Sequence, residues 1–142
     1  MAAALALARE AYDMGEVPVG CVIVDADGAI IGRGRNRREE TADATAHAEV
    51  EAIREACRAA GSWRLDGCTM FVTLEPCPMC AGAIILSRIG TLVFGAREEL
   101  TGSCGSVIDL FSERYGHHPA VYSGVLAEES AALLKSFFKD RR

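Results

Sequence analysis

Residues 73–83 read Thr73-Leu74-Glu75-Pro76-Cys77-Pro78-Met79-Cys80-Ala81-Gly82-Ala83, and in them an apolar run typical of a strand meets a helix start that carries two cysteines. The first turn of a helix favours thiolate over thiol because the helix dipole places positive charge there, and thiolates bind cations. A Cys-x-x-Cys pair supplies half of the four ligands that zinc usually takes. The stretch therefore predicts a metal site where a strand gives way to a helix.

A third ligand is available upstream in Thr45-Ala46-His47-Ala48-Glu49, which also reads as the opening of a helix. Three protein ligands with a fourth position left for water are typical of a catalytic zinc, whereas a structural site normally closes with four. We therefore predict that His47, Cys77 and Cys80 bind zinc.

Glu49 has a different predicted role. Two residues apart on a helix is about 200° of rotation, so His47 and Glu49 converge only at a helix end. If zinc lies over the first turn, Glu49 reaches the metal's water without being a ligand, as a general acid and base. His-x-Glu combined with Pro-Cys-x-x-Cys is the signature of zinc deaminases that act on nucleobases.

The chain has 142 residues, half of them hydrophobic, which is enough for a single domain over residues 1–142 with a proper core. Residues 1–11 are rich in Ala and Leu, but Arg9 and Glu10 interrupt them and they lack the layout of a cleavable signal. We therefore expect a cytoplasmic protein that does not enter a membrane.

Six cysteines leave disulfides as one possibility and free thiols as another. Cys21, Cys57 and Cys68 fall in or beside predicted core elements, and nothing indicates secretion. Buried free thiols are therefore the favoured interpretation.

The formal net charge of −5 argues mildly against a nucleic-acid partner, because such proteins usually neutralise phosphates with a positive field. A local basic face is the alternative. Asn36 lies within a cluster formed by Arg33, Arg35, Arg37 and Arg38. Many such clusters are only solvated, but Asn36 leaves a strand end shortly before the His47 helix, where a substrate-facing loop is expected.

Hydrophobic periodicity predicts helices alternating with strands after an initial hairpin. The predicted elements are a helix ended by Gly15, hairpin strands 17–24 and 29–32, helix 46–60, strand 68–74, a helix from Pro78, strands 91–95 and 121–125, and a last helix with Ala127, Ala131, Leu134 and Phe138 at helical spacing. The helix after Pro78 is apolar nearly all round over 81–86 and is expected to be buried. This order indicates a three-layer α/β/α domain with a five-stranded mixed sheet.

The chain resembles the bacterial tRNA-specific adenosine deaminases, which convert the wobble adenosine of an anticodon to inosine. The resemblance covers nearly the whole chain. It includes Glu16-Val17-Pro18-Val19-Gly20, Asn36-Arg37, Thr45-Ala46-His47-Ala48-Glu49, residues 72–82, Ser87-Arg88-Ile89-Gly90, Phe94-Gly95-Ala96-Arg97 and the helix that carries Leu133-Leu134 and Phe137-Phe138.

The resemblance implies a cytidine-deaminase-like fold, one zinc per chain, a tRNA anticodon stem-loop as substrate and a homodimer. It assigns zinc binding to His47, Cys77 and Cys80, the proton shuttle to Glu49, and a hydrogen bond with the purine to Asn36. The apolar stretch 81–86 also favours a homodimer, since one core does not readily cover it.

The substrate contacts beyond the base are expected from loops and from the basic end of the last helix. Arg37, Lys139 and Arg141 are the candidates for phosphate contacts. Glu98 is expected near the RNA, where a carboxylate bonds a ribose hydroxyl or repels phosphate. The sequence departs from the family's pattern at Ala44, Glu98, Leu100 and Gly116, where Pro, Asp, a basic residue and Asn are usual.

Two other functions compete with this interpretation. A deaminase of a free nucleobase or nucleoside, of the guanine or cytosine type, is favoured by the net acidity and by Glu98. The resemblance along the whole chain and the basic C-terminal end oppose it. A non-catalytic binding module with a structural zinc would need a fourth ligand such as Cys104, and it would have no use for Glu49.

Overall fold

The computed structural model describes residues 1–141. Its helices and strands alternate as the hydrophobic pattern predicts. The elements are α1 (Ala2–Asp13), β1 (Gly20–Val24), β2 (Ile30–Arg35), α2 (Arg38–Thr41), α3 (Ala48–Ala60), β3 (Thr69–Leu74), α4 (Pro78–Ser87), β4 (Thr91–Ala96), a 3₁₀ turn (Leu110–Ser112), β5 (Ala120–Tyr122) and α5 (Ala127–Asp140).

The strands form one mixed sheet in the order β2-β1-β3-β4-β5. β1 pairs antiparallel with both β2 and β3, whereas β3, β4 and β5 are parallel neighbours. The connection between β1 and β2 is a tight turn, which antiparallel strands allow, and α4 makes the crossover that parallel β3 and β4 require. The carboxyl ends of β3 and β4 therefore lie together at one edge of the sheet.

Helices cover both faces of the sheet. A Cβ at Gly20 would meet the backbone of Ala4 on α1, and a Cβ at Gly34 would meet the backbone of Ala48 on α3. Gly34 pairs with Cys21, the neighbour of Gly20, so the two glycines face opposite sides. α5 packs beside α1, with Tyr12 against Phe137, and α4 packs beside α3. The three-layer α/β/α prediction is confirmed.

Several boundaries differ from the sequence-based expectation. Helix α3 begins at Ala48 and not at residue 46, β2 extends to Arg35, and β5 has only three residues, Ala120–Tyr122. The four-residue helix α2 was not predicted, because its backbone amides are held by a side chain distant in sequence. On α5 the buried positions are Ser130 and Phe137, so the predicted stripe through Phe138 is displaced by one residue.

The expectation that α4 is buried is only partly right. Its inner side, including Cys80, Ala81 and Ile84, is buried in the core, but Leu86 is 71% exposed. A short helix at the outside of a three-layer fold covers the sheet with one side only. α4 therefore presents an apolar residue to the outside.

All six cysteines are free thiols, and Cys21 and Cys68 are buried while Cys57 is half-buried. No helix within residues 1–141 combines the length and apolar character needed to cross a membrane. Arg142, part of the basic C-terminal end noted above, lies outside the described residues.

Candidate active site

His47 and Glu49 reach the same pocket because the helix begins between them. His47 is the N-cap of α3, with extended backbone angles (φ −78°, ψ 151°), and Ala48 is the first helical residue. Because the backbone of His47 is extended, its side chain does not follow the rotation of the helix. The side chains of His47 and Glu49 therefore both line the pocket at the end of α3. The predicted convergence at a helix end is what the structure has, although His47 precedes the helix.

The two cysteines are placed by the other helix start. Cys77 is the extended N-cap of α4 (φ −77°, ψ 176°), and Pro78 occupies the first turn, where its lack of an N–H costs nothing. Cys80 follows within that turn and is fully buried. The N-terminal ends of α3 and α4 thus both point at the cluster, and their dipoles favour anionic groups there.

The ligand atoms of His47, Cys77 and Cys80 all lie within 4.8 Å of one another. His47 Nδ1 is 3.6 Å from Cys77 Sγ and 3.5 Å from Cys80 Sγ. A tetrahedral zinc with Zn–N near 2.05 Å and Zn–S near 2.3 Å separates its N and S ligands by about 3.6 Å. The three side chains therefore fit zinc in both donor chemistry and spacing. Cys104 is not in this group, and within residues 1–141 no other residue completes a set of four.

The cluster already holds negative charge on one sulfur. Hydrogen bonds from Cys80 and His47 lower the pKa of Cys77 to about 4, whereas the bond to Cys77 and burial raise the pKa of Cys80 above its ordinary value. The hydrogen bond with Cys77 also raises the pKa of His47. Cys77 is therefore a thiolate at neutral pH, and a divalent cation is the natural partner of the site.

Glu49 lies beside the cluster and is 4% exposed. Burial raises the pKa of its carboxyl group above the usual range for glutamate. A carboxyl group with a raised pKa, next to a metal-binding cluster and lining a pocket, is suited to accept and return a proton near neutral pH.

Two loops and the end of α5 complete the pocket. One wall is formed by Asn36 and Arg38, and the opposite wall by Glu98 and Thr101. Phe138 also lines the pocket, with half of its surface exposed. Asn36 and Glu98 thus lie where the sequence predicts substrate-facing residues. Sequence reasoning missed Phe138 as a pocket residue, since its helical spacing favours a core position.

The predicted cationic contacts lie elsewhere. Arg141 is not among the residues that line the pocket, and its guanidinium carbon lies 4.2 Å from the ring centroid of Phe137. Arg37 pairs with Glu40 and, at 3.6 Å, with Glu51. Arg37 is therefore partly neutralised by its own chain, whereas Arg141 remains at the surface one turn beyond Phe138.

Sequence reasoning also missed two buried glutamates, Glu75, which lines the pocket, and Glu16. Glu16 and Glu75 are each 2% exposed, and both accept hydrogen bonds from loop backbone. Although burial favours the neutral acid, hydrogen bonds from Ser106, Cys104 and Glu98 hold the pKa of Glu75 below its usual range. A carboxylate directly after an apolar strand, as in Leu74-Glu75, is the signal that could have identified Glu75.

Comparisons with known proteins agree with this geometry. The family described as "Cytidine and deoxycytidylate deaminase zinc-binding region" matches residues 1–96. A tRNA-specific adenosine deaminase of Bacillus subtilis is 48% identical over 143 residues, which cover 100% of this chain and 88% of that protein. A tRNA(Ile)-lysidine synthase of Deinococcus radiodurans is 49% identical over 142 residues, and the chain spans only 24% of that longer protein.

A solved structure from a study of A-to-I editing by tRNA:A34 deaminases at the wobble position of transfer RNA superposes with a TM-score of 0.88. It is 48% identical, and the match covers 92% of this chain and 95% of that one. The matched residues 1–96 include all three metal-compatible side chains and Glu49. The chain belongs to the cytidine and deoxycytidylate deaminase family, whose zinc-binding region it carries.

Proposed function

We propose that this chain deaminates the wobble adenosine of a tRNA anticodon loop to inosine. The observation that carries the proposal is the cluster of His47, Cys77 and Cys80 with Glu49 beside it, in a chain that matches tRNA-specific adenosine deaminases from end to end. Residues 1–142 act as one domain, and the reaction takes place in the cytoplasm, where tRNA is processed.

In this proposal His47, Cys77 and Cys80 hold one zinc ion. Zinc at such a site lowers the pKa of a bound water towards about 7 and so supplies a nucleophile at neutral pH. The absence of Cys104 from the cluster supports a site that stays open for that water, and it disfavours a structural zinc module.

Glu49 moves the protons. It accepts one proton as the water oxygen bonds to C6 and delivers it to a ring nitrogen of adenine. It then carries the remaining proton of that oxygen to the amino group, so that the C6–N bond breaks and ammonia leaves. Its burial supports this role, because burial raises the pKa of the carboxyl group in the direction of the working pH, where a general acid and base is most effective.

The substrate base is bound between the two loops. Asn36 is the proposed hydrogen-bonding contact to the purine, and Glu98 is the proposed contact to a neighbouring ribose hydroxyl. Asn36 is 6% exposed, and its Oδ1 accepts a bond from the backbone of Arg38, which fixes the side chain at the pocket. An anticodon loop offers an unpaired base, so removing it from its stack costs less than in a duplex. Arg141 is the proposed phosphate contact at the outer end of α5.

A deaminase of free guanine or cytosine remains the second candidate, because Glu49, Glu75 and Glu98 make the pocket acidic. The two functions are separated by incubating the protein with an anticodon stem-loop carrying adenosine at the wobble position and, separately, with free adenosine, adenine, guanine, cytidine and cytosine. We expect only the adenosine stem-loop to release ammonia. A stem-loop with guanosine at that position should release none. Ammonia from guanine or cytosine with an unchanged stem-loop would favour the second candidate.

The proposed partner besides tRNA is a second copy of the chain. An apolar face between α3 and α4 is lined by Ile53, Cys57, Trp63, Ala83 and Leu86, and both Trp63 and Leu86 are largely exposed. Contiguous exposed apolar surface of this kind is typical of a protein interface.

We therefore expect the protein to sediment as a dimer at micromolar concentration and Leu86→Glu to sediment as a monomer. A buried carboxylate without a partner is strongly unfavourable at an interface, which is why this single change suffices. Leu100→Glu is the matched control, because Leu100 is also exposed but lies outside this face. A wild-type protein that sediments as a monomer would refute the dimer.

A further inference from the structure

We infer that Glu16 and Glu75 are positioning residues, each of which holds one wall of the substrate pocket through backbone hydrogen bonds. The inference rests on the proposed function for the identity of the substrate, but the contacts that carry it do not depend on that identity. Neither glutamate forms an ion pair within residues 1–141, although each is almost completely buried. A buried carboxylate needs compensation, and here backbone amides of α2 and of the loop after β4 provide it.

Glu16 holds the wall that carries Asn36 and Arg38. Its two carboxylate oxygens accept hydrogen bonds from the backbone N–H of Glu39 at 3.1 Å and of Glu40 at 2.7 Å. These are amides of the first turn of α2, which has no side-chain cap of its own at Arg37. A four-residue helix has little stability alone, so the distant carboxylate fixes where it lies.

Glu75 holds the opposite wall, which carries Glu98 and Thr101. Its Oε1 accepts from the backbone N–H of Glu98 at 3.1 Å, and its Oε2 accepts from those of Cys104 at 3.0 Å and Ser106 at 3.1 Å. The hydroxyl of Ser106 donates a further bond to Oε1. The Glu75 side chain thus bonds to both ends of the loop from residue 98 to residue 106.

The loop lies directly on the Glu75 carboxylate. A Cβ at Gly102 would come within 2.6 Å of that carboxylate and within 2.3 Å of the carbonyl oxygen of Glu98, so only glycine fits there. Three backbone N–H groups and one hydroxyl bond to the two carboxylate oxygens of Glu75, so both oxygens must act as acceptors. Glutamine has nearly the same shape but would turn an N–H towards loop N–H groups and so leave a donor without an acceptor.

The test compares wild type with Glu16→Gln and Glu75→Gln, both loaded with zinc. Hydrogen exchange of the backbone amides measures directly how firmly each wall is held. We expect Glu16→Gln to speed exchange about tenfold over residues 36–43 alone, and Glu75→Gln to do so over residues 98–106 alone, since each loses a buried acceptor. Each variant is therefore the control for the other. Glu99→Gln makes the same change of charge in the second loop at an exposed side chain, and it should change neither segment.

The kinetic readout uses the adenosine stem-loop. We expect both glutamine variants to raise KM about tenfold, the size of one buried hydrogen bond lost, with a smaller change in kcat and with the zinc content of wild type. Unchanged exchange, or faster exchange throughout the molecule with lost zinc, would overturn the inference, as would a loosened wall with unchanged KM. Ser106→Ala removes a single donor to Glu75 and gives the same local pattern at smaller size if Glu75→Gln does not fold. A wild-type protein inert towards the stem-loop would refute the proposed substrate, whereas the exchange pattern would still decide whether the carboxylates hold the walls.

Discussion

Glu49→Gln is expected to retain zinc and the fold while turnover of the adenosine stem-loop falls by about 10²- to 10⁴-fold, the usual contribution of a general acid and base. Glutamine keeps the size of the side chain but does not take up a proton at neutral pH. Zinc stoichiometry by elemental analysis, the melting temperature and single-turnover deamination of the stem-loop measure the three properties separately.

Glu55→Gln is the matched control for this change. Glu55 lies on the same helix and carries the same charge, but it is not among the residues that line the pocket of Glu49. We expect it to deaminate at the wild-type rate. Substantial turnover by Glu49→Gln with a full complement of zinc would show that another group moves the proton.

Cys77→Ala is expected to lose both the metal and part of the stability of the fold. Cys77 is one of the three proposed ligands, and without it two ligands remain, which hold zinc far more weakly than three. Zinc that binds only the folded state at a hundred times its dissociation constant adds about 2.7 kcal/mol, so its loss lowers the melting temperature by roughly 10 °C. Elemental analysis and calorimetry with and without a chelator measure these effects.

Cys68→Ala separates the loss of a ligand from the loss of a sulfur atom. Cys68 is a buried free thiol immediately before β3 and belongs to no metal-compatible cluster within the described residues. It should lose some packing energy and keep its zinc. A Cys77→Ala protein that retains one zinc per chain would contradict the ligand assignment.

The convergence of His47 and Glu49 was predictable from the sequence because it depends on local geometry. Two side chains that point to nearly opposite sides of a helix share a pocket only where the helix ends. His47 is the N-cap of α3. The same reasoning placed Cys77 and Cys80 at the start of α4. Local spacing therefore predicted the two helix starts and the alternation of strands and helices. The meeting of His47 with Cys77 and Cys80, which are 30 and 33 residues away, was predicted from the signature of zinc deaminases instead.

The pocket walls were not predictable in this way, because they depend on contacts between distant parts of the chain. Glu16 bonds to Glu39, 23 residues away, and Glu75 to Ser106, 31 residues away, and neither spacing has a local signature. The burial side of α5 was missed for a related reason. Apolar residues occur on two sides of that helix. Its packing on the sheet and on α1, with Phe137 against Tyr12, places Phe137 in the interior and leaves Phe138 at the pocket.

The two edges of the sheet limit how copies of this protein can aggregate. Strand β2 forms one edge, where the exposed Arg33 places positive charge, and β5 forms the other with only three residues. Charge and shortness both prevent an edge strand from acting as a template for another chain. Sheets of neighbouring molecules are therefore not expected to join edge to edge into a continuous ribbon.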